Sequence, residues 1–344
     1  MFPTPIWLPQ FNFASVECLN IELENDTLTM RGSAEDSVGC VLRGSVVFTI
    51  FNEMKVKSIY GKFVGRANLC GNDNVSWREY IFVEREFQFL PAEDGPYNLK
   101  PNHYRYNFEV ALEGCLPESI TLPNGKIEYK MHAIVERTGL HFDIKNRQVV
   151  KIQRSSGCSY DSMFSNTIES SGIWDDRFRY NFEIPQPAVT IGQSFPISLD
   201  LTSLGKDFDL VKIEFNLLET ICCGTPENTI DLRTHVSHLL ELKEDKITGD
   251  GEEWKLSPQL VLLPGVQCTL NTDYIQITHD IMVLFHILDH RTGEKRVLEY
   301  EFPITVRSCL QQCLEMSPPE YEPASACTVT LGSPPAYTPA SILA

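Results

Sequence analysis

Lys126-Ile127-Glu128-Tyr129-Lys130-Met131-His132-Ala133-Ile134-Val135-Glu136 is the stretch that decides the fold class. Ile127, Tyr129, Met131, Ala133 and Val135 are apolar at every second position, with Lys126, Glu128, Lys130, His132 and Glu136 between them. A period of two puts one face on a core and the other in water, as in antiparallel sheets. The pattern recurs in Tyr104-Tyr106-Phe108-Val110, Phe178-Tyr180-Phe182-Ile184, Phe195-Ile197-Leu199-Leu201, Val211-Ile213-Phe215-Leu217 and from Ile275 to Ile287. Turn-rich breaks separate the runs: Gly71-Asn72-Asp73-Asn74, Pro123-Asn124-Gly125 and Arg291-Thr292-Gly293. Short, regularly spaced strands with little helix predict an all-β protein built of sandwiches. Leu232 to Lys243 is the one stretch where a short helix competes.

Composition divides the chain. Gln153 to Asp176 holds seven serines between Ser155 and Ser171 and lacks sustained alternation. The expected organisation is therefore one β-sandwich over residues 1–154, a Ser-rich linker over 155–175 and a second sandwich over 176–308. From Cys309 to Ala344 there is no Lys or Arg, six prolines appear and alternation stops. That composition predicts a disordered tail over 309–344, because it cannot bury enough surface to offset ordering. No internal repeat stands out.

At 344 residues with 42% hydrophobic content, the chain can fill two cores. A formal net charge of −17 argues against nucleic acid as a partner, since phosphate neutralisation needs surplus Lys and Arg. The eleven cysteines are odd in number and scattered, which reads as reduced thiols and a cytoplasmic protein. Met1 to Gln10 has three prolines and no basic region, unlike a signal peptide, and no apolar run approaches a membrane span. His235 with His238 and His286 with His290 have ligand-like spacings, but no Cys-x-x-Cys accompanies them, so neither metal nor cofactor is expected. Cys222-Cys223 reads as buried thiols; Cys309 and Cys313 raise palmitoylation as an alternative. No phosphate loop, nucleophile elbow or carboxylate pair occurs, and the chain is not read as an enzyme. Lys145, Arg147, Lys151 and Arg154 form a basic stretch. On one face they would meet acidic headgroups, giving peripheral membrane association, or an acidic partner segment; a solvated strand edge is the alternative.

Two tetrapeptides in the tail carry the functional reading: Pro318-Pro319-Glu320-Tyr321 and Pro334-Pro335-Ala336-Tyr337. Adjacent prolines pre-set polyproline II, so docking costs little backbone entropy, and an aromatic groove clamps the rings while a neighbouring pocket takes the tyrosine. Such PPxY motifs dock WW domains. One match is expected by chance roughly 0.05 times at this tail's composition, so two are no accident. SH3 recognition needs prolines at i and i+3 and favours a flanking basic residue, and the tail has neither. Twelve residues, Glu322 to Ser333, separate the motifs. They span about 20 Å as a flexible chain and at most around 40 Å when extended, so two WW domains of one partner can be engaged together. Ser317 and Ser333 precede the motifs as Ser-Pro candidates for phosphorylation.

The chain resembles the α-arrestins, the arrestin-related trafficking adaptors. The likeness runs through Lys57-Ser58-Ile59-Tyr60-Gly61-Lys62-Phe63-Val64-Gly65, Leu90-Pro91-Ala92-Glu93-Asp94-Gly95-Pro96-Tyr97, Tyr106-Asn107-Phe108-Glu109 and Leu116-Pro117-Glu118-Ser119. It continues from Gly125-Lys126-Ile127-Glu128-Tyr129 to Val135-Glu136-Arg137, then Phe182-Glu183-Ile184-Pro185, Ile191-Gly192-Gln193 and Leu217-Leu218-Glu219-Thr220. The resemblance implies tandem arrestin-like sandwiches of immunoglobulin type. It also implies an adaptor that brings a WW-containing HECT-type ubiquitin ligase to membrane transporters or receptors, whose ubiquitination leads to endocytosis and sorting. The protein would be cytoplasmic, recruited to plasma membrane or endosomes. A ligase-independent sorting scaffold, like the arrestin-fold subunit of retromer, is the alternative reading.

Overall fold

The computed structural model describes residues 18–71, 76–139, 141–155, 167–174, 178–186, 188–205, 208–225, 228–243 and 253–307. Among them the fold is almost wholly β, the one helical element being the short 3-10 turn Ala92–Asp94. Among the described residues no helix is long and apolar enough to cross a membrane.

Two sandwiches follow one another. In the first, a sheet of Cys18–Leu23, Cys40–Ile50 and Asn102–Leu112 faces a larger sheet. The larger sheet has the order Thr27–Arg31, Ile144–Ser155, Gly125–Arg137, Met54–Cys70, Trp77–Leu90. In the second, Ile168–Trp174, Phe178–Ile184, Ser198–Ser203 and Glu253–Leu256 oppose Ala188–Thr190, Lys295–Arg307, Ile275–Asp289, Phe208–Thr225 and Asn228–Lys243. The two larger sheets share a topology. Each begins with a short strand running parallel to the last long one, while the long strands pair antiparallel. No repeat shows in the sequence because alternation constrains only polarity, and any apolar residue serves the inward positions.

The alternation lands where the period predicts. Ile127, Tyr129, Met131, Ala133 and Val135 are buried, as are Ile275, Ile277, Ile281, Val283, Phe285 and Ile287. Each of the Ile, Val, Met and Phe side chains among them contributes about 1.5–3 kcal/mol by leaving water. Tyr129 donates its hydroxyl to Pro117 O at 2.5 Å, satisfying its one polar atom, and its ring stacks on Phe63 at 5.7 Å. Across the second core, Phe182 and Phe302 stack with ring centroids 3.6 Å apart. Gly61 and Gly65 clear room for rings from neighbouring strands. A Cβ on Gly61 would lie 2.4 Å from Phe87, and one on Gly65 would lie 2.6 Å from Tyr129.

Two expectations are corrected. Leu232 to Lys243 belongs to a strand, Asn228–Lys243, that pairs with Phe208–Thr225. A bulge there pairs Phe215 with Leu240 and Asn216 with His238, leaving Leu239 as the extra residue. The bulge resets the side-chain parity, so Leu239, Leu240 and Leu242 all reach the core and imitate a helical stripe. The linker expected over 155–175 contains the strand Ile168–Trp174, in register with Phe178–Ile184. Ser171 stands opposite Asn181 on the exposed face, and Ser170 stands opposite the buried Phe182 on the inner face, where it is half-buried. Residues 156–166 of that linker, and the tail over 309–344, lie outside the described residues.

Candidate functional site

The PPxY residues Pro318, Pro319, Tyr321, Pro334, Pro335 and Tyr337, with Ser317 and Ser333, lie outside the described residues, as do Cys309 and Cys313. Their root on the body is well defined. Ile191 N donates to Arg307 O at 3.0 Å, Thr269 N to Val306 O at 2.9 Å, and Val306 N to Thr269 Oγ1 at 2.8 Å. Val306 is 1% exposed, so the end of the strand Lys295–Arg307 is pinned within the second sandwich. Pro318 follows Arg307 by eleven residues, which covalent geometry limits to a reach of about 40 Å.

The basic stretch divides. Lys145, Arg147 and Lys151 are exposed on one face of Ile144–Ser155, which pairs with Gly125–Arg137 over residues 144–150 and with Thr27–Arg31 over residues 151–155. Arg147 stands opposite His132, His132 opposite Lys62, and Val149 opposite Lys130. Burial first, then the charges of Arg66, Lys130, Arg147 and Lys62, hold the His132 pKa below its ordinary value. Carboxylates answer part of this charge. Glu128 lies 2.6 Å from both Lys126 and Lys130, and Lys62 lies 2.8 Å from Glu84. Burial pushes the Glu128 pKa up, but the hydrogen bonds from Lys126 and Lys130 outweigh it and leave the carboxyl below its usual range. A hollow of about 430 Å³, lined by Ser119, Thr121, Lys126, Glu128, Val149 and Lys151 among others, opens beside this carboxylate.

Arg154 does not share that face. Its Nη1 donates to Gly32 O and Ser33 O, both at 2.9 Å, and its Nη2 to Gly114 O at 2.7 Å and Leu116 O at 2.9 Å. The guanidinium thus gathers two loops and is spent within the fold. A headgroup or acidic peptide can meet only the other three.

Comparison with known proteins fits this architecture. Residues 174–311 match the family described as "Arrestin (or S-antigen), C-terminal domain". An arrestin domain-containing protein of Schizosaccharomyces pombe is 25% identical over 290 residues, covering 78% of this chain and 48% of the relative. The HECT-type ubiquitin ligase-interacting protein creD of Emericella nidulans is 27% identical over 211 residues, 58% of this chain and 35% of the relative. A probable creD protein of Aspergillus fumigatus is 26% identical over 312 residues, 83% and 51%. The chain is α-arrestin-like. It spans about half the length, or less, of these curated relatives.

In the α-arrestin-like body the remaining candidates lie close to carboxylate or amide side chains. His286 Nε2 lies 3.2 Å from Glu214, His290 Nε2 lies 2.7 Å from Asp209, and His238 Nδ1 lies 3.1 Å from Asn216. Among the described residues no three His, Cys, Asp or Glu side chains gather as metal ligands. The described cysteines are free thiols; Cys223 is buried and Cys222 half-buried. Burial, with the charge of Asp231, pushes the Cys223 thiol up to about 11, which keeps it protonated and unreactive. Sequence reading missed a polar cluster inside the second sandwich. His279 Nε2 lies 3.3 Å from Glu219, whose carboxylate also accepts from Gln267 N at 2.8 Å, and His279 Nδ1 is 2.9 Å from Thr269 Oγ1. The cluster steadies the segment before Leu270 and, through Thr269, the root at Val306.

Proposed function

We propose that this chain is an adaptor that recruits a WW-domain HECT-type ubiquitin ligase to membrane cargo. The body is read as two sandwich domains, the first ending with the strand Ile144–Ser155 and the second running from the strand Ile168–Trp174 to Arg307, that present the cargo-binding surface. The PPxY residues Pro318, Pro319 and Tyr321, with Pro334, Pro335 and Tyr337, bind the ligase. The paired motifs carry this reading, and the similarity to the creD relatives, named as HECT-type ubiquitin ligase-interacting proteins, supports it. The adaptor does no chemistry itself. Tethering raises the ligase's effective concentration near cargo lysines, and two weak sites on one leash act with an avidity neither has alone. The cargo would be a transporter or receptor, ubiquitinated, then internalised and sorted; the adaptor would be cytoplasmic and recruited to plasma membrane or endosomes.

Calorimetric titration of the full chain with a tandem WW protein tests the proposal. Tyr321→Ala or Tyr337→Ala alone should weaken binding by about tenfold or more through lost avidity, and the double variant should abolish it. Equal affinity for the double variant and the parent would remove the tail as the docking element.

A further inference from the structure

Domains of one chain usually meet through small, polar surfaces and move relative to each other. The junction here is built differently. The buried core of the first sandwich does not stop at its own strands: Cys223, Leu270, Ile275 and Ile277 of the second belong to the same apolar cluster as Leu69, Leu122 and Ile127. Equivalent hairpins from the two sandwiches make the contact. One is closed by Leu122 N donating to Gly125 O at 2.7 Å, the other by Thr272 N donating to Ile275 O at 3.1 Å. They approach so closely that a Cβ on Gly125 would lie 3.0 Å from Ile275 Cδ1 and 3.1 Å from Cys223 Sγ.

A run of rings crosses the same boundary. Tyr274 packs on Tyr80 at 6.0 Å and on Phe82 at 5.3 Å; Phe82 meets Tyr129 edge-on at 5.6 Å, and Tyr129 stacks on Phe63. Beside the rings lies a buried polar pair that spans the junction. Asn124 and Asp231 are each 3% exposed. The Asn124 amide donates to the Asp231 carboxylate and to Cys223 Sγ at 3.5 Å, while Arg233 Nε donates to the same carboxylate at 2.7 Å. Asn124 is itself held in place, its carbonyl accepting from Cys70 N at 2.8 Å. Removing the Asn124 donor while the carboxylate stays buried is costly, so the contact favours the closed junction that both side chains share.

We infer that the two sandwiches form one cooperative unit, braced across their junction by the Asn124–Asp231 contact. The root at Val306 is bonded to Thr269, next to the junction residue Leu270.

Scanning calorimetry of the full chain, with small-angle scattering at 20 °C, tests this. The parent should unfold in a single transition whose calorimetric and van't Hoff enthalpies agree. Asn124→Ala should split it into two transitions and raise the radius of gyration, with strand content by circular dichroism unchanged. Tyr274→Ala, which removes the crossing ring without touching the polar pair, should do the same to a lesser degree; it also provides the reading should Asn124→Ala fail to fold. Two separate transitions in the parent would overturn the inference. So would a single, merely lowered transition with unchanged scattering in the variant that folds.

Discussion

Replacing Arg154 separates a structural cation from a surface one. Four carbonyl oxygens, those of Gly32, Ser33, Gly114 and Leu116, accept from its guanidinium at 2.7–2.9 Å. Hydrogen bonds from a charged donor are worth about 1.5–3 kcal/mol each, but the side chain is only partly buried and water can re-enter to satisfy some of the carbonyls. Discounting the four accordingly gives a loss of about 3–5 kcal/mol for Arg154→Ala. In a body of this size that corresponds to a melting temperature lower by about 10 °C. Arg154→Lys should fall between, because a single ammonium has three donors and no fork to span both loops. The controls are Arg147→Ala and Lys151→Ala, each exposed, which should stay within about 0.5 kcal/mol of the parent. Urea unfolding followed by tryptophan fluorescence measures all four. A loss for Arg154→Ala no larger than for the two controls would refute the caging argument, whatever its effect on any ligand.

Gly61→Ala should destabilise by about 1–3 kcal/mol through overpacking, since the new methyl meets the Phe87 ring at 2.4 Å and Met131 Cε at 2.8 Å; thermal melts read it directly. His132 gives a pH signature. Its folded pKa is depressed by burial and four neighbouring cations, so the unfolded chain binds the extra proton first, and stability falls as pH drops from about 6.5 toward the folded value. Denaturant midpoints at pH 7.5 and 5.5 should therefore differ less in His132→Gln than in the parent.

Much of this was present in the pattern of polarity. The strand Gly125–Arg137 follows from its own alternation, and the glycines of the Lys57 to Gly65 stretch mark places where rings from other strands cross. Arg154 was legible too, with a stricter use of the same rule. Lys145, Arg147 and Lys151 share odd parity along Ile144–Ser155, whereas Arg154 has the parity of the buried Val150 and Ile152. Grouping the four by charge hid what grouping by position reveals. Leu232 to Lys243 was obscure for the opposite reason: the bulge at Leu239 interrupts the period that identifies a strand.

The junction could not be read at all, and Asn124 shows why. Pro123-Asn124-Gly125 is a turn signal, and a turn is what forms, so the local pattern is fully explained before the side chain has found its partner. That partner, Asp231, is 107 residues away, in a strand whose polarity is that of a solvent-facing segment. Nothing in either segment distinguishes a carboxylate destined for burial from one facing water. The difference lies in the meeting of the two hairpins, a property of the packed pair. The residues that join the two sandwiches, Asn124 and Asp231, are ones that composition and motif pass over, while the motifs that attract notice, with Tyr321 and Tyr337, lie outside the described residues.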